Sequence, residues 1–293
     1  MKFVSLTRIG IAALAVSATC FLFSCKKESS SQPVTQQDAA VYSEESSQAE
    51  ASFDDVTDIG MTAASEESVA AAPNGRYLPI FEILRLRIGA SATITVSPND
   101  ETYPKTITID FGDGTDCKDG KWRKGAIILH LTGPIRRPGS VLTITFRDFY
   151  LKRAHIEGTK VISNLSENGA VKFTVQVNGG KVTYPNGRGY TYEALKYYNQ
   201  VEGADTQTCL DDVYHIEGRS KTQFANGTTI VLNTETALVK KLICPWISKG
   251  VLKITVNDFV VMLDFGAPNE GECDNKALLT WNSGANEKII ELP

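Results

Sequence analysis

The most regular feature of the chain is a series of short runs in which apolar, mostly β-branched residues alternate with polar ones. A period of two places successive side chains on opposite faces of a strand, so each run predicts a half-buried β-strand. The runs are Ala92–Val96, Lys105–Ile109, Ala126–Leu131, Val141–Phe146, Val171–Val177, Thr228–Leu232 and Val251–Val256. Turn sequences such as Asn178-Gly179-Gly180 separate them, and this short spacing favours consecutive hairpins. We predict an all-β domain over residues 76–293, an antiparallel meander forming a single curved sheet, a sandwich or an open barrel.

Three short motifs occur twice within this region. The order of the motifs differs between the copies, which favours recurring hairpin units over a tandem duplication. The repeated segments are Gly139–Phe149 with Gly250–Phe259, His155–Gly158 with His215–Gly218, and Ile109–Gly112 with Leu263–Gly266.

The amino terminus has the layout of a secretory signal. Lys2 and Arg8 are followed by an apolar run over Ile9–Phe23, which at 15 residues is shorter than the roughly 20 that a membrane helix needs. The run ends in Leu22-Phe23-Ser24-Cys25, which resembles the lipobox of bacterial lipoproteins. We predict that residues 1–24 are removed and that Cys25 carries a diacylglycerol and a palmitate-type acyl chain. The alternative is an ordinary cleaved signal peptide with an incidental cysteine.

A polar, acidic segment follows the lipobox. Residues 26–75 contain two Lys and ten Asp and Glu, a net charge of −8. Such a composition buries too little apolar surface to offset the entropy of ordering, so residues 25–75 are predicted to be a disordered tether. One exception is open: Phe53, Val56 and Ile59 have helical spacing within Ala49–Ala64, so a short helix there could dock on the domain.

The charge is distributed unevenly along the mature chain. Residues 76–293 contain 26 Lys and Arg and 24 Asp and Glu, so this region is near +2. Nucleic-acid binding would require a clustered basic face, which this balance does not indicate. No segment after the amino terminus reaches 18 consecutive apolar residues, so the only predicted membrane contact is the lipid anchor.

Much of the chain from about Tyr77 onward resembles a family of outer-membrane lipoproteins from Bacteroides-type bacteria. The resemblance implies localisation at the outer membrane and supplies no known catalytic residues. Ala267-Pro268-Asn269-Glu270 forms a longer loop than the family pattern has. The similar segments are Ile109–Gly114, Gly139–Phe146, Glu157–Lys160, Asp212–Tyr214, Cys244–Trp246 and Gly271–Ala277.

Four cysteines remain in the mature chain besides the anchor, and an exported protein with an even number is normally disulfide-bonded. Cys244 and Cys273 flank a predicted strand pair, so we favour a Cys244–Cys273 bridge, which leaves Cys117 with Cys209. A zinc site would need paired C-x-x-C spacings, and these are missing.

Two clusters suggest ligand binding. Asp110, Asp113, Asp116 and Asp119 follow one another at steps of three, and their oxygens could bind calcium, although they also suit a solvated turn. Tyr190 and Tyr192 share one face of a predicted hairpin, with Tyr184 facing them across it. These three tyrosines could form a platform for sugar rings or a partner protein, or simply stabilise the sheet.

The sequence evidence for catalytic groups is weaker than the evidence for ligand binding. Asp148 with Asp258, and Glu157 with Glu217, occupy matching places in the repeats, and a glycoside hydrolase would need such carboxylates about 5–9.5 Å apart. His130, His155 and His215 have no evident nucleophile partner, since Gly-x-Ser-x-Gly is missing. The repeat by itself explains the matching positions.

The sequence therefore predicts a non-enzymatic envelope lipoprotein, a binding or structural module without a cofactor. Its expected partners are the outer membrane, through the anchor, and a glycan or envelope protein. One alternative is a lipid or lipoprotein carrier whose open barrel has an apolar mouth. Another is a glycan-degrading enzyme.

Overall fold

The structure is a computed structural model that describes residues 34–68, 81–206 and 208–292. The predicted signal peptide and Cys25 lie outside these residues. The helices are α1 Gln36–Ser68 and α2 Glu82–Ile88. The strands are β1 Thr93–Ser97, β2 Lys105–Asp110, β3 Thr115–Asp116, β4 Trp122–Leu131, β5 Val141–Leu151, β6 Ala154–Asn164, β7 Lys172–Thr183, β8 Gly189–Glu202, β9 Val213–Phe224, β10 Thr229–Lys241, β11 Lys249–Val256, β12 Phe259–Asp264, β13 Lys276–Trp281 and β14 Asn286–Glu291.

All the strands belong to one antiparallel sheet, and apart from β3 each strand pairs with the strands that precede and follow it along the chain. The order runs from β1 and β2 through β4 to β14, and the short β3 pairs with β4 at the side of this path. β1 and β14 form the two edges, so the sheet is open. The predicted all-β meander is confirmed as a single sheet.

The sheet has an inner face and an outer face, which the alternation along each strand separates. In β8, Tyr192, Ala194 and Lys196 are buried, whereas Glu193 and Leu195 between them are exposed. The buried set faces α1, which defines the inner face. Core side chains of β2 and β4–β13 lie on this same face, and the alternation shifts by one residue at bulges such as the one in β5, so the sheet packs one apolar layer around α1.

Backbone bulges explain one of the sequence repeats. Gly158 in β6 and Gly218 in β9 have φ values of +123° and +150°, which a residue with a Cβ rarely adopts. A Cβ on Gly218 would lie 2.4 Å from the carbonyl oxygen of Leu195, and one on Gly158 would lie 2.8 Å from the Cα of Gly180. Bulges bend strands. The glycine of the repeated His-Ile-Glu-Gly therefore marks two bends.

The acidic segment is helical over Gln36–Ser68, so the prediction of a disordered tether is wrong for these residues. The short helix that was left open over Ala49–Ala64 is the middle of a longer one. Phe53, Val56 and Ile59 are all buried, as their helical spacing suggested. The prediction from composition was wrong here because it assumes that the acidic residues are solvated, whereas the folded sheet supplies partners for them.

Small side chains allow α1 to approach the sheet closely. Gly60 packs against the side chain of Ile144 on β5, where a Cβ would come within 2.5 Å of the Ile144 Cδ1 atom. Ala49, Ala63 and Ala64 are also buried. In the described ranges, neither helix is both long and apolar enough to cross a membrane.

The sheet has two ends that differ in their connections. At the tight-turn end, short turns join β5 to β6, β7 to β8, β9 to β10, β11 to β12 and β13 to β14. At the long-loop end, segments 132–140, 165–171, 203–212, 242–248 and 265–275 connect the strands. The first turns of α1 lie at the tight-turn end, because Asn226 donates to Tyr42 and Arg188 pairs with Glu45. Near its other end α1 pairs Glu67 with Lys105.

The two ends explain the cysteine pairing. Cys244 and Cys273 both lie on loops of the long-loop end, and they are joined as predicted, with Cα atoms 5.7 Å apart. Cys117 and Cys209 are buried free thiols, so the second predicted bridge is wrong. Cys117 lies between β3 and β4 at the tight-turn end, and Cys209 lies between β8 and β9 at the long-loop end. A disulfide needs Cα atoms within about 7 Å, which strands of this length prevent.

We expect mass spectrometry of the unreduced protein to find Cys244 linked to Cys273, and Cys117 and Cys209 to be alkylated only after unfolding. The bridge closes a loop with a sequence separation of 29 residues. Replacing both linked cysteines with Ala should lower the free energy of unfolding by about 3–4 kcal/mol. The Cys117→Ala, Cys209→Ala variant is the control, because it should keep the linked peptide. A Cys117–Cys209 peptide would contradict this assignment.

Candidate functional site

The inner face of the sheet carries a row of basic side chains that meets the acidic helix. α1 contains nine Asp and Glu and no Lys or Arg. Lys196 on β8 lies 2.6 Å from Glu50 and 2.7 Å from Asp54, and Lys240 on β10 lies 2.5 Å from Asp58. Acidic side chains of α1 are therefore paired with cations inside the molecule.

Asp55 is the centre of this ion-pair network. Its carboxylate lies 2.9 Å from Arg123 on β4, 3.0 Å from Lys121 and 2.6 Å from Arg87 on α2. Burial by itself would raise the pKa of Asp55, but these three cations outweigh it and hold the pKa well below its usual value. Asp119 approaches Arg123 to 2.7 Å and completes the network. The Asp55 carboxylate thereby links α1 to α2 and to the sheet.

Lys160 on β6 differs from the other inner lysines. It donates to the Phe53 carbonyl and to the Thr57 hydroxyl of α1, and among the described residues it has no carboxylate within ion-pair distance. Burial lowers the pKa of Lys160 to about 8, against the opposing pull of Asp54. This ammonium is held by one backbone carbonyl and one hydroxyl of α1.

α1 fills the interior of the sheet almost completely. One apolar pocket, with Leu238, Leu252, Leu263, Phe265 and Trp246 among its lining residues, has a volume of about 20 Å³. That is room for about one water molecule. Over the described residues, α1 therefore covers the inner face through apolar packing and charge pairing.

The predicted tyrosine platform is not accessible, so that prediction is wrong. Tyr190 and Tyr192 share one face, as expected, but that face is the inner one and both rings are buried. Tyr192 stacks on Phe53 with ring centroids 4.5 Å apart, and its hydroxyl donates to Glu50. Tyr184 is partly buried, and its hydroxyl lies 3.2 Å from that of Tyr190.

The four aspartates proposed for calcium do not converge. Asp110 pairs with Arg147, and Asp119 belongs to the buried ion-pair network. Asp113 and Asp116 are exposed. In residues 34–68, 81–206 and 208–292, no group of three or more His, Cys, Asp or Glu is arranged to hold a metal ion. The cluster is better explained as a solvated hairpin connection.

The carboxylates at matching positions of the sequence repeats are also far from each other along the sheet. Glu157 on β6 and Glu217 on β9 have β7 and β8 between them. Three strand spacings amount to about 14 Å, which exceeds the separation that glycoside hydrolysis requires. Asp148 lies in β5 and Asp258 lies in the turn after β11, which is farther still.

The outer face carries a concavity that the sequence did not reveal. It crosses β7, β8 and β9, has a volume of about 570 Å³ and includes Gly218 of β9 among its lining residues. We call it the outer trough. Its other lining residues are Gln176, Val177, Asn178, Glu193, Ala194, Leu195, Tyr197, Arg219, Ser220 and Lys221.

An exposed aromatic ring and an aliphatic side chain form the floor of the outer trough. Tyr197 is 49% exposed and Leu195 is 42% exposed, next to each other on the outward side of β8. Leu195 is opposite Gln176 on β7 and Arg219 on β9. The one indication of this site in the sequence is the alternation along β8, because it places Tyr197 on the opposite face from Tyr190 and Tyr192.

No protein-family model matches the chain, and neither a curated protein nor a solved structure matches it. The fold defines a class by itself: an open antiparallel meander that surrounds an acidic amino-terminal helix. The resemblance to outer-membrane lipoproteins stays a prediction.

Replacing Asp55 with Ala should lower the free energy of unfolding by about 3–5 kcal/mol, because Arg123, Lys121 and Arg87 would be left buried without their shared carboxylate. Chemical denaturation measures the change. Asp113→Ala, in an exposed turn, is the control and should change stability by no more than about 0.5 kcal/mol. Equal effects of the two substitutions would show that the network contributes nothing specific.

Lys160→Met and Lys196→Met should change the free energy of unfolding in opposite directions, and the two changes should depend differently on pH. The folded-state pKa of Lys160 is about 8, below the ordinary 10.5, so the unfolded chain holds more protons between these values. The contribution of Lys160 to stability therefore rises with pH in this window. We expect wild type to gain about 2 kcal/mol relative to Lys160→Met between about pH 7 and about pH 9.5.

Lys196→Met is the matched comparison for that measurement. The pKa of Lys196 is raised, because the nearby Asp54 and Glu50 outweigh the effect of burial. Its contribution is complete below the ordinary lysine value and is lost only at higher pH. Lys196→Met should therefore destabilise the protein at about pH 7, by about 3 kcal/mol or more, since two carboxylates lose their partner. The same pH profile for both variants would contradict the distinction.

Proposed function

We propose that the protein is a lipid-anchored, non-enzymatic envelope lipoprotein that acts as a binding module on the outer membrane. Cys25 carries the anchor, and the sheet carries the binding surface. The observation that supports this most directly is that α1, the helix at the centre of the sheet, begins 11 positions after Cys25.

The position of α1 bears on how the domain is held. Val34 is nine positions after Cys25, and an extended chain covers that separation in at most about 30 Å. Because the first turns of α1 lie at the tight-turn end, this end faces the bilayer in our proposal. The long-loop end and the middle of the outer face then point into the surrounding space.

A binding role has more support than catalysis or lipid transport. The paired carboxylates that a glycan-degrading enzyme would use lie on strands that are too far apart, as described above. A carrier would need an apolar cavity, whereas α1 occupies the interior and is joined to it by buried ion pairs. The outer face, by contrast, carries an accessible concavity of about 570 Å³, the outer trough.

Radiolabelled palmitate should be incorporated into wild type and should be absent from Cys25→Ala, because the proposed acyl chains are built on this residue. Cys20→Ala is the matched control, since Cys20 lies in the same apolar segment without a Leu three positions before it. It should keep the label. Incorporation into Cys25→Ala at the wild-type level would refute the anchor.

A further inference from the structure

We infer that the outer trough is a glycan-binding site for a short oligosaccharide, with acidic sugars preferred. This inference rests on the proposed role as a binding module and goes beyond it by naming a site and a ligand class. It does not depend on the lipid anchor.

The floor of the trough suits the apolar face of a sugar ring. Sugar rings expose C–H groups on one side, and aromatic side chains combine flat apolar area with a polar handle. Tyr197 and Leu195 supply such a floor, and both remain about half exposed although they lie in the middle of a fully paired strand. Isolated exposed apolar residues are common, but here two of them line one concavity.

The walls of the trough carry groups that recognise hydroxyls and carboxylates. On the β7 side, the Gln176 amide donates to the Asn178 amide oxygen at 3.0 Å, which orients both planar groups. On the β9 side, Arg219 and Lys221 line the trough, and Glu193 on β8 is opposite Lys221. Two cations against one carboxylate favour a glycan with acidic rather than amino sugars.

The position of the strands argues against a peptide ligand. Extended peptides usually bind by adding a strand to a free sheet edge. β7, β8 and β9 are central, and β8 is hydrogen-bonded on both sides, so its backbone has no groups to offer. Recognition here must come from side chains, which suits a ligand that carries its own hydroxyl donors and acceptors.

The shape of the trough agrees with a short linear ligand. Glu193 and Tyr197 are four positions apart on β8, a length of about 13 Å. A volume of about 570 Å³ lies within the range of roughly 300–1,000 Å³ that small-molecule sites occupy. The trough is open along the sheet, so a longer chain could extend beyond it.

The test is an array of neutral hexose, uronic-acid and sialic-acid oligosaccharides, probed with the full-length protein in detergent. We expect binding to acidic oligosaccharides, at least a tenfold loss of affinity in Tyr197→Ala and in Arg219→Ala, and largely retained affinity in Tyr197→Phe, which keeps the ring. Leu165→Ala is the matched control, because Leu165 is 54% exposed and lies outside the trough. It should bind like wild type, and thermal unfolding should show all four variants folded.

Three outcomes would overturn the inference. They are binding to no oligosaccharide, equal losses in Leu165→Ala and Tyr197→Ala, or capture of peptides instead of glycans by a surface that Tyr197→Ala destroys. These outcomes leave the palmitate result untouched, so failure of the glycan site can be told apart from failure of the anchor. Palmitate labelling that fails while glycans bind would refute the anchor and leave the trough in place.

Discussion

The charge pairing between α1 and the inner face of the sheet is the interaction on which the rest of the structure depends. An acidic helix can be buried only if each carboxylate finds a partner, because an isolated buried charge costs far more than folding provides. The sheet supplies these partners from strands that are distant in sequence, as in the contact of Asp55 with Arg123. The helix in turn fills a curved sheet that would otherwise expose its apolar face to water.

Buried ion pairs contribute little net stability, since desolvation cancels much of the attraction. The main effect of these ion pairs is to fix the position of the helix. A shift of α1 by one turn would separate Asp55 from Arg123 and Asp58 from Lys240, and would leave several buried charges without partners. The aromatic stack of Phe53 on Tyr192 fixes the same register. Lys160, which has no carboxylate within ion-pair distance in the described part of the chain, depends on this alignment because it bonds to the Phe53 carbonyl and Thr57.

Filling the interior with a segment of the same chain changes where a ligand could bind. A curved sheet with an empty inner face would suit an apolar cargo, whereas here that face is occupied by α1. The outer face is then the accessible one, and the outer trough lies there with Gly218 among its lining residues. Because α1 begins at the tight-turn end, a membrane anchor before it would leave the middle of the outer face exposed to the surroundings.

The sequence by itself determined the features that depend on neighbouring residues. Alternation and turn residues specified the strands and their hairpin order, since both signals are local. The Cys244–Cys273 bridge followed from the same order, because these residues flank one strand pair. Parity along β8 separated Tyr197 from Tyr190 and Tyr192, but parity does not say which face is covered.

Only the tertiary structure decided that α1 covers the face with Tyr190 and Tyr192, that the acidic segment is ordered, and that Cys117 and Cys209 lie at opposite ends of the sheet. Each of these depends on groups that are far apart in the sequence, and such contacts leave no local pattern.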